Sequence, residues 1–192
     1  MIRRHATMST PLGDLLVVAD DGGPGRDGRA GSGALTDSGG PAGGALTGVY
    51  FPGHWHPPAS GTIGDEVDAH GDALFERFDA QLGEYLDRRR TAFDLPLAPD
   101  GDDFQHAVWA MLRHIPYGET TSYGELAARL GDRNLARRVG NAVGRNPLSI
   151  LVPCHRVVGA DGSLTGYAGG LERKRFLLEL EGSPVVAQTR LF

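Results

Sequence analysis

Residues 121–146 read TSYGELAARLGDRNLARRVGNAVGRN, and this stretch decides how the chain is organised. Ser122 followed three residues later by Glu125 has the form of a capping box, in which each side chain satisfies a backbone N–H that the first helical turn leaves open. Leu126, Ala127 and Leu130 then recur at helical spacing, and Gly131 ends the helix. A second helix is expected from about Asn134, with Leu135, Ala136, Val139, Ala142 and Val143 inward and Arg133, Arg137, Arg138 and Arg145 toward solvent. Two short helices joined by a glycine-bearing turn, the second loaded with arginine, describe a helix-turn-helix. Helix pairs are common and a charged outer face is usually just a solvated one, so this segment alone does not decide for DNA.

Downstream, Asn146-Pro147 breaks the second helix, and Ser149-Ile150-Leu151-Val152 forms an apolar approach to Pro153-Cys154-His155-Arg156. A single cysteine after a buried segment is more often a small core residue than a nucleophile. The histidine and arginine beside it change that balance, because a neighbouring base or cation raises the thiolate fraction, and the thiolate is the attacking species. Neighbours in a strand point to opposite faces, so His155 can serve Cys154 only where the chain turns or a water bridges them. The glycine-rich run 159–170 lacks the spacing and lysine of a phosphate loop and reads as a flexible lip. A final helix over Leu171–Leu180 is expected to pack Leu171, Phe176, Leu177 and Leu180, with Glu181 at its end placed to fold back toward the histidine.

Upstream, Phe104–Leu112 reads as a helix with Phe104, Val108, Trp109 and Leu112 inward. Asp65–Arg90 reads as one amphipathic helix ending near Arg88, and the extended, acid- and proline-bearing stretch after it as a linker that puts a domain boundary near Gly101. Leu15–Ala19 and Leu46–Phe51 read as paired strands. Between them, residues 21–45 hold ten glycines and two prolines with Leu35 as the only large apolar side chain, which predicts a disordered excursion. A contact between protein copies on DNA is the rival role for that loop.

Charge divides along the same line. Residues 1–103 carry 8 arginines against 17 acids, net −9, whereas residues 104–192 carry 11 basic and 7 acidic side chains, net +4. An anionic partner would therefore be held by the second half. Arginine outnumbers lysine 18 to 1, which supplies forked donors suited to phosphate and base edges, although genomic base composition produces the same bias. No apolar run approaches the roughly 18 to 20 residues of a membrane span, and the first residues do not read as a signal peptide, so no membrane role and a cytoplasmic location are expected. One cysteine excludes an internal disulfide and a multi-cysteine zinc site.

Taken together, these residues resemble the O6-alkylguanine-DNA alkyltransferases, the methylated-DNA-protein-cysteine methyltransferase family. Ile150-Leu151-Val152-Pro153-Cys154-His155-Arg156 matches the family signature, and the resemblance runs from about Phe104 to Gly182 through Pro116-Tyr117-Gly118-Glu119, Ser122-Tyr123, Ala136-Arg137, Gly144-Arg145-Asn146-Pro147 and Tyr167-Ala168-Gly169-Gly170. Thr10-Pro11-Leu12-Gly13 and Gly48-Val49-Tyr50-Phe51 carry a looser match in the first half.

The resemblance implies an α/β plus α architecture: an N-terminal ribonuclease-H-like α/β domain over 1–101, then a winged helix-turn-helix domain over 102–192 that binds DNA and holds the cysteine. It implies irreversible, single-use transfer of an alkyl group from O6-alkylguanine, and O4-alkylthymine, in double-stranded DNA after the base is flipped. Cys154 would be the acceptor, His155 the base acting through a water, Glu181 its orienting acid, Asn146 the brace of the turn and Tyr123 the proton donor to the leaving guanine. Arg137 would fill the gap behind the flipped nucleotide, with Ala136, Arg133, Arg138 and Arg145 at the DNA. Val143, Val157, Tyr167, Ala168 and Gly169 would line the base pocket. No cofactor is implied. The zinc-binding cysteines of some members are missing, so no such metal is expected, and His54 and His56 read as solvent-facing. Alkyltransferase-like DNA binders lack the acceptor cysteine that is present here, and a cysteine hydrolase would have no use for the helix-turn-helix.

Overall fold

A computed structural model of the chain describes residues 2–21, 44–59 and 61–189. The predicted strand pair forms as β2 (Leu15–Asp20) and β3 (Ala45–Tyr50), antiparallel, with Leu16 opposite Tyr50 and Asp20 opposite Ala45. Most of the excursion between them lies outside the described residues. Its edges meet closely: Gly44 sits at φ +82°, where a Cβ would fall 1.7 Å from the Asp20 carbonyl oxygen. Two further strands complete a sheet of order β3-β2-β1-β4: β1 (Arg3–Met8), antiparallel to β2, and the short β4 (Asp65–Glu66), parallel to β1. The sequence reading missed β1, because RRHATM places only Ala6 and Met8 in the core.

Helix α1 (Ala73–Leu86) is shorter than the 65–90 expected. Asp72 sets its start by accepting from the backbone of Leu74 and Phe75, and it is itself paired with Arg4 of β1. The acids at 65 and 66 are spent in β4 instead, where both are exposed. Leu74, Phe75, Phe78, Leu82 and Tyr85 face the core as the spacing predicted. The extended stretch after α1 lies along β3: Leu46 N–H donates to Pro96 O at 2.8 Å, and Leu95 and Leu97 are buried.

Helix α2 (Asp103–Arg113) begins at a capping box made by Asp102 and Gln105. Its Trp109 Nε1 donates to Ala142 O at 2.9 Å, which ties it to the helix pair. That pair is α3 (Tyr123–Arg129), entered from strand β5 (Thr121–Ser122), and α4 (Ala136–Gly144). The Ser122–Glu125 capping box is present, Gly131 turns the chain at φ +94°, and a 3₁₀ turn at Arg133–Leu135 fills the three residues before α4 starts. Strand β6 (Val157–Val158) pairs with β5 in parallel. Helix α5 (Leu171–Leu180) and the short α6 (Pro184–Thr189) close the described chain.

The face of α5 is the expected one only in part: Leu177 and Leu180 are buried, but Leu171 and Phe176 are 45% and 40% exposed, and Lys174 and Leu178 are fully buried instead. The inward positions 174, 177, 178 and 181 follow the three- and four-residue spacing of one helical stripe, with a lysine where an apolar side chain was sought. One apolar core runs from Ala6 to Leu180 and takes in Cys154. Among the described residues, no helix is long and apolar enough to cross a membrane.

Candidate active site

The segment from α4 to β6 is built around Asn146, which is 1% exposed. Its Oδ1 accepts from Leu148 N at 3.0 Å, and its Nδ2 donates to Val152 O at 2.8 Å and reaches Cys154 Sγ at 3.1 Å. Inside this loop Ile150 sits at φ +72°, a conformation that costs a β-branched residue on the order of 1–3 kcal/mol and persists only where its surroundings hold it. Cys154–Arg156 is a 3₁₀ turn, so Cys154 and His155 are not on opposite faces of a strand; the chain turns at the cysteine.

His155 is fully buried and donates from Nε2 to Glu181 Oε1 at 2.8 Å, leaving Nδ1 without a protein partner among the described residues. Glu181 is crowded with donors. Arg156 grips both its oxygens at 2.9–3.2 Å, Gly118 N–H donates to Oε2 at 3.1 Å, and the Tyr85 hydroxyl, from α1, donates to Oε1 at 2.5 Å. The Arg156 Nη1 donates onward to Ile115 O at 2.6 Å.

These surroundings fix the resting charges. Burial pushes the Cys154 thiol up, only partly opposed by the Asn146 hydrogen bond, so the sulfur rests protonated. Burial lowers His155 against the pull of Glu181, which leaves the imidazole neutral and able to accept a proton. Burial would raise Glu181, but the hydrogen bonds and charges of His155 and Arg156 outweigh it and hold the carboxyl well below the usual range. The site therefore stores a thiol, a neutral base and an anchored carboxylate.

The residues expected to line a pocket, Val143, Val157, Tyr167, Ala168 and Gly169, are all buried. The expected flexible lip is held at several points. Lys174 Nζ donates to Val157 O at 2.5 Å and Thr165 O at 2.6 Å; Arg173 Nη1 donates to Gly169 O at 2.8 Å; Trp55 N–H donates to Ala168 O at 3.2 Å. A Cβ on Gly169 would lie 2.5 Å from the Phe51 ring, so that position admits only glycine without movement. Tyr123, at the start of α3, donates its hydroxyl to Thr165 O at 3.3 Å, which brings it to the same lip.

On α4 and its approach, Arg133, Arg137, Arg138 and Arg145 are all exposed and Ala136 is half-buried. They are not equivalent. The Arg138 guanidinium stacks 3.8 Å above the Phe104 ring, and Arg145 Nε donates to Asn141 Oδ1 at 3.0 Å. Arg133 and Arg137 have no intramolecular partner among the described residues. His54, expected in solvent, is buried edge-on to Tyr50 at 5.3 Å, with Nδ1 accepting from His56 N–H; His56 is exposed. No group of three or more His, Cys, Asp or Glu side chains suited to a metal ion occurs among the described residues.

Sequence reasoning did not find Tyr85, Arg156 as a partner of Glu181, or Lys174. Lys174 had a signal, as the one lysine in a chain of arginines. Tyr85 had none, since its place on the apolar face of α1 gave it an ordinary core reading.

Residues 103–183 match the family described as 6-O-methylguanine DNA methyltransferase, DNA binding domain. The methylated-DNA–protein-cysteine methyltransferase of Methanosarcina acetivorans is 52% identical over 112 residues, covering 58% of this chain and 72% of that protein. The protein of the same name from Mycobacterium tuberculosis strain H37Rv is 49% identical over 139 residues, covering 72% and 76%. Among solved structures, the crystal structure of Mycobacterium tuberculosis OGT in complex with DNA superposes with a TM-score of 0.73 at 38% identity, covering 95% of this chain and 96% of that one.

Proposed function

Because this chain belongs to the methylated-DNA–protein-cysteine methyltransferase family, we propose that its DNA repair activity, the transfer of an alkyl group from alkylated guanine in duplex DNA to a cysteine of the protein itself, runs through Cys154 and the buried groups around it. The observation that carries this assignment is the buried turn at Cys154, where Asn146 Nδ2 reaches the sulfur at 3.1 Å and the neighbouring His155 is held on Glu181 at 2.8 Å.

In this reading the Cys154 proton passes through a water to His155 Nδ1, the ring nitrogen left without a protein partner. Nε2 keeps its proton on Glu181, which stabilises the imidazolium that forms. Sulfur then attacks the alkyl carbon: the S–C bond forms, the O6–C bond breaks, and the departing guanine takes a proton from Tyr123. One positive and one negative charge appear together, so the net charge of the site is unchanged. Asn146 braces the strained turn that presents the sulfur. Nothing in the chain regenerates a thiol from the thioether, so each molecule acts once. O4-alkylthymine is included as a second substrate.

A stacked base cannot meet a buried thiolate in line, so the nucleotide has to be extruded. Arg137, exposed at the start of α4 and free of intramolecular partners among the described residues, is the side chain for the vacated space, with Arg133, Arg138 and Arg145 at the phosphates. The finer architecture goes with this reading. Residues 1–101 form a ribonuclease-H-like domain, supported by the 3-2-1-4 strand order with β4 parallel to β1. Residues 102–192 form a winged helix-turn-helix domain, supported by the α3–α4 pair beside the β5–β6 sheet.

The test is a duplex carrying labelled O6-methylguanine. Label should move to the protein once per molecule, mass spectrometry should find one methyl group on Cys154, and Cys154→Ala should abolish transfer while still binding the duplex. An adduct on another residue, or several turnovers per molecule, would sink the assignment.

A further inference from the structure

Of the donors on Glu181, one comes from the other half of the chain. Tyr85 lies near the end of α1, is 1% exposed, and is wedged between the rings of Phe93 at 5.2 Å and Tyr117 at 5.9 Å. A buried tyrosine with a satisfied hydroxyl is ordinarily a core residue with a polar tip. This one stands on the oxygen that faces the histidine. Its hydroxyl meets Oε1 of Glu181, which also accepts from His155 Nε2 and from Nε and Nη2 of Arg156, whereas Gly118 N–H is on Oε2.

We propose that Tyr85 is a positioning residue of the transfer reaction: its hydroxyl fixes Glu181 Oε1 opposite His155 and draws off enough of that oxygen's basicity to keep the transferred proton on the imidazole. The inference rests on Cys154 being the alkyl acceptor. When the S–H bond breaks and the Nδ1–H bond forms, His155 holds two protons, and the one on Nε2 faces a carboxylate. A more basic carboxylate would pull that proton across and leave a neutral acid beside Arg156. Each donor on Oε1 weakens that pull, because a lone pair engaged by one proton is less available to another.

Tyr85 cannot itself take part in the transfer. Burial, and then the Glu181 charge, push its hydroxyl far above the usual phenol range, so it stays a donor at every working pH. The charged and titratable groups bearing on the pair are few: Arg156, Lys174 and Tyr167 on the His155 side, Arg156, Tyr117 and Tyr167 on the Tyr85 side, and the Cys154 thiol. None of the others places a hydroxyl on Oε1.

The experiment is the pH dependence of single-turnover methyl transfer from a labelled duplex, in the full chain. With neutral His155 required and burial lowering it, the wild-type rate should fall on the acid side at a pH below the ordinary histidine value of about 6.5. In Tyr85→Phe, Glu181 attracts the imidazolium more strongly, and the midpoint of that acid limb should move up by about half a pH unit or more. A purely structural tyrosine would lower only the fraction of active molecules, which the stoichiometry of labelling reads separately. Should Tyr85→Phe fold poorly, 3-fluorotyrosine placed at position 85 keeps the shape, donates more strongly, and should move the midpoint down. An acid limb that stays at the wild-type pH in both variants overturns the proposal. Label that never reaches Cys154 in the wild type overturns instead the reading on which it rests.

Discussion

Lys174 and Glu181 are seven residues apart on one stripe of the last long helix, both buried, and the molecule accommodates their charges in opposite ways. Glu181 is met by a full cation, Arg156, and by further donors from three segments, which together overcome the cost of burying it. Lys174 is met by main-chain carbonyls alone, and burial lowers it to about 8. A paired buried charge is costly to break, because the partner is stranded; a charge held by neutral dipoles strands no ion when removed. One end of the helix is thus a rigid anchor for His155, and the other a clasp on the glycine-rich run 159–170.

The sharpest way to break that contrast is Glu181→Gln. It leaves Arg156 charged in the core, and the cost should be about 3–5 kcal/mol in urea unfolding, together with loss of most transfer activity. The folded carboxyl of Glu181 titrates well below its unfolded value near 4.3, so its stabilisation is present above that pH and is lost as the pH falls toward the folded value. Glu181→Gln should accordingly flatten the acid side of the stability profile. An unchanged acid side would mean that another carboxylate governs it.

Lys174→Met should cost less, no more than about 2 kcal/mol, because relief from burying the ammonium offsets the bonds lost at Val157 O and Thr165 O. Its main effect should be slower methyl transfer at equal duplex affinity, as the lip that holds Thr165 for Tyr123 loosens. A stability loss equal to that of Glu181→Gln would erase the distinction between the two ends. An exposed charge gives the baseline: Arg137→Ala should change unfolding stability by no more than about 0.5 kcal/mol. It should slow repair of a duplex more than transfer from the free alkylated base, and equal losses on both substrates would remove its role in extrusion.

Much of the second half was legible because its signals are local. The Ser122–Glu125 box, the Gly131 stop and the arginines of α4 are short-range chemistry, and they appear where the spacing put them. The cysteine was legible as a candidate through its neighbours, but its geometry was not, since whether His155 turns away depends on Asn146 and on a positive φ at Ile150. The face of α5 was partly misread because hydrophobicity alone assigned it: Lys174 is buried by carbonyls from β6 and from the lip that no pattern within the helix discloses. β1 escaped because an arginine-rich strand has little alternation to read. His54 was misplaced because its burial comes from Tyr50 and its own loop.

Lys174 is the only lysine in the chain, and its ammonium has no solvent exposure. Reagents that acylate primary amines therefore find no exposed lysine side chain on the folded molecule. The same scarcity makes acylation of Lys174 a clock: it can occur only after α5 has lifted away from its carbonyls, and its rate reports how often that happens.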